Sequence, residues 1–189
     1  LCAGTQFSVP LAEEILPRNT CALIKSSFGF KLGRLCPYVQ ASHLIVGETT
    51  CDGKKKMFEI LAEHQPVHVM EVPNKKTKAS RELWRSEVAA FKDVIEKLTG
   101  NKITPAKLRE ATKLVNARRR ALQRLYELRK TRPVPISGKD ALLVTQVAFY
   151  DDAARSTKQI NALCDELDKR VASGKGVAPK DAPRIMISG

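Results

Sequence analysis

Five cysteines are the residues of this sequence whose chemistry stands out, and they lie at positions 2, 21, 36, 51 and 164. No two of them form a CxxC pair, which excludes zinc ribbons, thioredoxin-type dithiols and the close-spaced bacterial ferredoxin pattern. The odd count argues against a structural set of disulfides. Two interpretations of the first four remain: ordinary buried or surface thiols, or ligands of a shared metal site.

The surroundings of Cys51 favour the metal interpretation. It follows a predicted strand and the turn at 47–50, and it opens a predicted helix with lysines at 54–56. A helix N-terminus and nearby ammonium groups favour a thiolate, the form that a soft metal binds. Cys36 and Cys2 stand in similar loop-like exits from predicted strands. Carboxyl ends of strands line the crevice in which open α/β sheets bind ligands.

Cys164 has a different setting, because it lies on the apolar stripe of a predicted helix. A cysteine in that position behaves as a small hydrophobic residue. The three histidines share no ligand spacing and are expected to be structural: His43, His64 and His68.

Polar residues near the cysteines add weaker candidates. Glu48 lies one turn before Cys51 and is either a proton-transfer carboxylate near the metal or a solvated turn residue. Ser26, Ser27 and Gly29 either line the site or form a plain turn. Both interpretations stay open for each of these residues at the level of sequence.

The first 73 residues have the pattern of an α/β lobe. Two short apolar runs, at 43–46 and 67–72, are bounded by turn residues as buried strands are, and 52–63 between them predicts a helix. Strand, helix and strand at this spacing predict a parallel βαβ unit. The predicted fold class is therefore α/β, with a parallel, Rossmann-like sheet.

Helical periodicity dominates the rest of the chain. Apolar residues recur at helical steps from Trp84 to Leu98, a second helix starts at Thr104-Pro105, a third follows Ser137, and a fourth begins near Asp151. The predicted domains are a first lobe at 1–78, a helical region at 79–174, a linker at 175–183 and the first strand of a second, truncated α/β lobe at 184–189. The chain, starting at Leu1, is expected to be an internal fragment.

Composition sets limits on the class of protein. The 189 residues are 43% hydrophobic and 28% charged, which excludes disordered and collagen-like chains. The longest aliphatic run, at 141–144, is far shorter than the roughly 18 apolar residues of a membrane span. We therefore expect a cytoplasmic protein with no membrane partner.

Longer stretches of the sequence carry distinctive motifs: 1–10 (LCAGTQFSVP), 16–19 (LPRN), 24–31 (IKSSFGFK), 34–38 (RLCPY) and 46–57 (VGETTCDGKKKM). These stretches resemble the 2-hydroxyacyl-CoA dehydratase and benzoyl-CoA reductase family, above all its double-cubane cluster branch. The resemblance continues in order through 81–100, 136–140 and 184–189.

The resemblance implies an iron–sulfur protein with two α/β lobes around a [4Fe-4S] or double-cubane cluster. By local motif it implies that Cys2, Cys36 and Cys51 are cluster ligands, with Cys36 and Cys51 as alternatives if only one of them joins Cys2. Cys21, in the motif NTCAL, is a secondary candidate for the same role. At least one further ligand is expected from the second lobe.

The activity that the resemblance implies is reductive. A separate ATP-hydrolysing iron–sulfur activator supplies a low-potential electron, and the enzyme is a homodimer or heterodimer of related subunits. Dehydratases (lyases) of the family pass the electron to the thioester carbonyl of a 2-hydroxyacyl-CoA, whereas the double-cubane branch reduces small molecules.

Basic residues are concentrated at 101–132, which holds eleven Lys or Arg and two Glu, a local charge of +9 out of +13 for the chain. Such a run is a nucleic-acid footprint, but no recognition motif accompanies it and aromatic residues are only 5%. A solvated helix face, a docking surface for an acidic partner and steering of an acyl-CoA are the other interpretations.

The rival hypothesis for the whole chain is a cofactor-free basic helical protein that binds nucleic acid or an acidic partner. A GK[ST] phosphate loop is absent from the sequence, so we do not expect this chain to bind ATP through one.

Overall fold

A computed structural model describes residues 5–185 of the chain. The chain divides into two compact units, residues up to 102 (unit 1) and residues from 103 onward (unit 2). The predicted α/β fold class is confirmed, because unit 1 contains a parallel two-stranded sheet and the remaining elements are helical. No helix in the described part of the chain is both long and apolar enough to cross a membrane.

The sheet consists of β1 (Ile45–Glu48) and β2 (Val67–Met70), which pair in parallel with Glu48 opposite Met70. The helix that connects them, numbered α4 below, is Asp52–Leu61. It packs closely on β1, since a Cβ at Gly47 would lie 2.6 Å from the Phe58 ring. The predicted βαβ unit is confirmed, with bounds within a few residues of those expected.

The segment before the sheet is helical. It contains a 3-10 turn (Gln6–Ser8) and the helices α1 (Val9–Glu13), α2 (Ala22–Leu32) and α3 (Pro37–Ala41).

The 3-10 turn is held on α2 by a buried hydrogen bond, in which Ser8 Oγ donates to the Ser26 carbonyl oxygen at 2.9 Å. At Gly29 any Cβ would overlap the Ser8 carbonyl, so this glycine permits the close approach. The expectation that Ser26, Ser27 and Gly29 form a turn is therefore wrong, because they lie inside a helix.

The core of unit 1 joins α1, α2 and α4. Phe28 and Ala12 are fully buried in it, and α2 and α4 supply most of the cluster. Its buried members are Ala12, Leu16, Ile24, Phe28, Met57, Phe58 and Leu61.

The long helix α5 (Lys78–Thr99) begins at Thr77, whose side chain accepts a hydrogen bond from Ser80 N, and ends at Gly100, whose φ of 70° suits glycine. The predicted helix is confirmed. Its apolar stripe is only partly covered: Phe91 stacks on His68 of β2 with ring centroids 5.5 Å apart, whereas Trp84 stays 41% exposed.

Unit 2 contains α6 (Pro105–Leu128), α7 (Gly138–Val147) and α8 (Ala153–Ala172). The helices predicted after residues 104, 137 and 151 are thereby confirmed. Helices α6 and α8 pack along their apolar stripes, and α7 covers one end of the same core. The buried members of that core are Ala121, Leu125, Leu128, Ile136, Ala141, Ala148, Ile160, Cys164 and Leu167.

The segment predicted as a linker, 175–183, belongs to unit 2 and is held on the rest of that unit by hydrogen bonds. Val177 N donates to the Val134 carbonyl at 2.8 Å, and Arg132 donates to the Lys180 carbonyl at 2.5 Å. Most of the strand expected at 185–187 lies outside the described residues. The prediction put a domain boundary between 78 and 79, whereas the compact units divide after 102, which places α5 with the sheet.

Candidate functional site

Cys51 lies at the end of the loop that joins β1 to α4. It is three residues beyond the end of β1 and is the residue immediately before α4, with extended dihedral angles of −142° and 126°. Its side chain is half-buried and makes no capping hydrogen bond to the helix. The sulfur thus lies at the carboxyl edge of the sheet, as the sequence predicts.

Cys21 and Cys36 occupy the same kind of position. Cys21 immediately precedes α2 and Cys36 immediately precedes α3, and neither side chain caps its helix. The even spacing of 15 residues between Cys21, Cys36 and Cys51 therefore gives three successive helices that each begin at a cysteine. The N-terminal end of a helix carries partial positive charge, which stabilises an anionic ligand such as a thiolate bound to a metal.

Packing between α2 and α4 connects two of these positions. A Cβ at Gly53 would lie 2.8 Å from Ile24 Cδ1 and 3.8 Å from Cys51 Sγ. Ile24 is three residues after Cys21, and Gly53 is two residues after Cys51. The N-terminal parts of α2 and α4 therefore pack against each other.

Cys21 is the secondary candidate for a ligand in the sequence, and its role stays a prediction. It is exposed at the start of α2, on the end of the helix that meets Cys51. The signal in the sequence that indicates it is the even spacing of 15 residues between Cys21, Cys36 and Cys51.

The expectation that Cys36 follows a strand is wrong. It comes after α2 and a short loop, and its side chain is only 2% exposed. Cys2 lies outside the described residues. Within 5–185, no group of three or more His, Cys, Asp or Glu side chains is placed to hold a metal ion.

Glu48 stabilises the loop that carries Cys51. Its carboxylate forms an ion pair with Lys54 and accepts a hydrogen bond from Thr50 N at 2.7 Å. These contacts close the turn between β1 and α4 on both sides of Cys51. A role for Glu48 in proton transfer stays a prediction.

Cys164 contrasts with the three cysteines of unit 1. It is fully buried in α8 beside Leu125 and Leu167. Burial raises the pKa of its thiol, partly opposed by the Arg124 guanidinium, so the neutral form is favoured. Cys164 is thus a small core residue, as predicted from its stripe.

Part of the basic run at 101–132 serves unit 2 itself. Arg124 of α6 contacts Asp165 at 2.7 Å and Asp168 at 2.5 Å, both on α8. Arg118 donates to the Ala148 carbonyl at 2.9 Å. These residues therefore join the helices, in addition to contributing to the charge of the surface.

Comparison with known protein families gives one match along all of residues 1–189, to the model described as 2-hydroxyglutaryl-CoA dehydratase, D-component. The chain belongs to this D-component family. Family membership confirms the resemblance to the 2-hydroxyacyl-CoA dehydratases that the cysteine-bearing motifs indicate.

Two curated relatives of this D-component chain are dehydratase subunits. The "putative dehydratase subunit YjiM" of Escherichia coli (strain K12) is 42% identical over 191 residues, covering 100% of this chain and 49% of that protein. The "(R)-phenyllactyl-CoA dehydratase beta subunit" of Clostridium sporogenes is 24% identical over 192 residues, with 98% and 49% coverage. The chain therefore spans about half the length of these relatives.

Proposed function

We propose that this D-component chain is part of the iron–sulfur component of a dehydratase-like enzyme that uses ATP-coupled, low-potential electrons. The observation that supports the proposal is that α2 and α4, whose N-terminal parts pack against each other, each begin at a cysteine, Cys21 and Cys51. Cys36, at the start of α3, and Cys2 are the further candidates within this chain.

The donor set fits an iron–sulfur cluster better than a hard cation. Cysteine sulfur is the standard ligand of cubane iron, and carboxylate or carbonyl oxygens are the ligands that Mg²⁺ and Ca²⁺ prefer. When bound, the cluster supplies single electrons at low potential and an iron position that polarises a carbonyl oxygen.

The residues of this chain hold and shield the site. The Glu48–Lys54 ion pair and the hydrogen bond from Thr50 N keep the β1–α4 loop closed around Cys51. The buried side chain of Ile24 packs over Gly53, in the seam between α2 and α4. A close, apolar seam beside a thiolate site lowers solvent access, which is one of the factors that set cluster potential.

The proposed partners follow from the same hypothesis. A separate ATP-hydrolysing activator supplies the electron, and a second related subunit completes the enzyme, as the beta-subunit name of the Clostridium sporogenes relative suggests. The proposed substrate is a 2-hydroxyacyl-CoA that is dehydrated; the alternative is a small molecule that is reduced at a double-cubane cluster.

Anaerobic purification of the full-length protein tests the proposal. We expect bound iron and sulfide with a broad visible absorption, and we expect Cys51→Ser to remove most of the iron. Cys164→Ser is the matched control and should keep the visible spectrum, because Cys164 lies in the core of unit 2. Colourless wild-type protein without iron, or equal iron loss in the two variants, contradicts the proposal.

Variants of the other cysteines then define the ligand set. Cys21→Ser should lower the iron content as strongly as Cys51→Ser if the adjacent helix starts share a cluster. Cys36→Ser measures the contribution of α3. A normal iron content in Cys21→Ser, together with loss in Cys36→Ser, would assign the partner of Cys51 to α3 instead.

A further inference from the structure

An open cleft of about 520 Å³ lies between the end of β2 and the first turns of α5. We name it the α5 cleft. Val72 and Trp84 supply apolar walls, and Lys75, Lys76, Arg81 and Arg85 supply the charge. The volume is within the range of small-ligand pockets, about 300–1,000 Å³.

The cations of the α5 cleft have no acidic partner. Among residues 5–185, the side chains of Lys75, Lys76, Arg81 and Arg85 make no ion pair within 4.0 Å and no hydrogen bond, in contrast to Arg124 in unit 2. Two acids near the cleft contact other groups: the Glu87 carboxylate accepts a hydrogen bond from Glu71 N at 3.0 Å, and the Glu82 carboxylate lies 4.0 Å from Lys78 Nζ. Four unpaired positive charges around one cleft favour a ligand with several negative charges.

Trp84 adds a requirement on the shape of the ligand. It is the single tryptophan of the chain, it is 41% exposed, and it faces Val72 across the cleft. An exposed indole beside guanidinium groups is a stacking surface for a flat ring such as a nucleic-acid base. The guanidinium groups of Arg81 and Arg85 match phosphate oxygens in geometry as well as charge.

The α5 cleft lies at the same edge of the sheet as Cys51. The parallel register puts Met70, the last residue of β2, beside Glu48, the last residue of β1. Beyond the strands, Val72 N donates to Thr49 Oγ1 at 2.9 Å. A wall of the cleft is therefore hydrogen-bonded to a residue two positions before Cys51, and a ligand in the cleft can extend toward the thiolates.

We infer that the α5 cleft binds a phosphorylated purine nucleoside, with the ring on Trp84 and the phosphates on Arg81, Arg85 and the two lysines. The group can come from the nucleotide end of a coenzyme A ester or from a free purine nucleotide. The coenzyme A source rests on the proposed function, because it assigns the nucleotide part of the substrate to this cleft. The pantetheine arm then extends along the sheet edge toward Cys51.

Equilibrium binding of coenzyme A to the full-length protein tests the inference. We expect Arg81→Gln/Arg85→Gln to raise the dissociation constant by at least about tenfold, since each lost charged contact to phosphate is worth about 1.5–3 kcal/mol. Trp84→Leu should weaken binding by about tenfold through lost stacking. The matched control Arg109→Gln/Lys113→Gln removes the same charge from exposed residues of α6 and should change binding by less than about twofold.

Other ligands identify the source of the nucleotide. Tighter binding of coenzyme A than of 3′-dephospho-coenzyme A and ATP supports the coenzyme A ester, whereas equal or tighter binding of ATP supports a free nucleotide. Pyrophosphate binding as tight as coenzyme A binding, with no effect of Trp84→Leu, would overturn the inference and leave a simple anion patch. So would equal effects of the cleft and control variants.

Iron content measured on the same samples separates the two hypotheses. Loss of nucleotide binding with normal iron supports the α5 cleft independently of the cluster. Wild-type protein that binds coenzyme A through Arg81 and Arg85 but contains no iron would contradict only the proposed function.

Discussion

Helices α2, α3 and α4 of unit 1 begin in a different way from the helices of unit 2, whereas α5 of unit 1 is capped by Thr77. In unit 2, the side chains of Thr104, Ser137 and Asp152 each accept hydrogen bonds from the first backbone amides of α6, α7 and α8. In unit 1, α2, α3 and α4 begin at cysteines that make no such bond. An N-cap hydrogen bond is worth about 1 kcal/mol, so unit 1 forgoes this stabilisation at three positions.

The difference shows that the missing cap hydrogen bonds are at the three helix starts occupied by cysteines. Residues that break a local rule of stability without a structural gain mark functional sites in natural proteins. The capped helices of unit 2 enclose a core in which even a cysteine is a packing residue. The uncapped helices of unit 1 present sulfur at their positive ends, where a metal cluster would use it.

Removal of a core side chain should give the largest loss of stability in unit 2. We expect Leu167→Ala, at a fully buried position, to lower the free energy of local opening by about 2–5 kcal/mol through a cavity. Hydrogen exchange of α6 and α8 amides in the full-length protein measures it. The control Leu142→Ala, at a leucine 60% exposed, should change it little, and equal losses would mean that this core is not the stabilising element.

Substitutions at two glycines compare how closely the helices of the two units are packed. We expect Gly29→Ala to destabilise unit 1 by about 1–3 kcal/mol, because the added Cβ meets the Ser8 carbonyl and must push the 3-10 turn away from α2. At Gly138, the first residue of α7, a Cβ meets nothing within 4 Å, so Gly138→Ala should be neutral or slightly stabilising. Hydrogen exchange of α2 amides measures the effect of Gly29→Ala, and thermal unfolding measures the effects of both substitutions. A Gly29→Ala variant with unchanged stability would refute the packing contact.

Substitution of the residues at which the helices begin tests the comparison directly. Asp152→Ala should cost about 1 kcal/mol, because Asp152 Oδ1 accepts hydrogen bonds from Ala154 N at 3.0 Å and Arg155 N at 2.9 Å. In iron-free protein, Cys51→Ser should instead stabilise α4 by up to about 1 kcal/mol, since serine can cap where cysteine does not. Denaturant unfolding of the iron-free variants measures both signs, and a destabilising Cys51→Ser would remove the contrast between the units.

The smallest expected effect is a decrease in the stability of unit 2 at alkaline pH. The pKa of the Cys164 thiol is raised by burial in the folded state, so folding favours the protonated form. This contribution is fully present below the ordinary thiol pKa and is lost as pH rises through the higher folded value. The stability of wild type relative to Cys164→Ala should therefore fall over that range, and a constant difference would show that the thiol does not titrate with unfolding.

Much of unit 2 could be predicted from local signals. Thr104-Pro105 and Ser137 begin α6 and α7 as capping rules require, and the apolar stripe that includes Cys164 is buried where the helical period put it. Such signals act within one or two helical turns, so they can be read in the sequence directly. Unit 1 was less predictable, because α2 has apolar residues on most sides and gives no clear helical period.

The candidate site shows the same limit. The strand-to-helix position of Cys51 follows from a pattern of about ten residues, and the family motif around it is also local. The role of Cys21 depends on the contact between Ile24 and Gly53, two residues far apart in the chain. The α5 cleft depends likewise on Thr49 meeting Val72 and on α5 lying against β2.

From the amino-acid sequence alone it is possible to predict the βαβ unit, the four later helices, the place of Cys164 in a core and the family. Each of these rests on periodicity, capping or a contiguous motif, which are properties of neighbouring residues. Only the tertiary structure decided which helix starts are adjacent, which cations lack partners and which apolar residues stay exposed. Those features depend on the packing of distant segments, and glycine contacts as close as that of Gly29 with Ser8 control that packing.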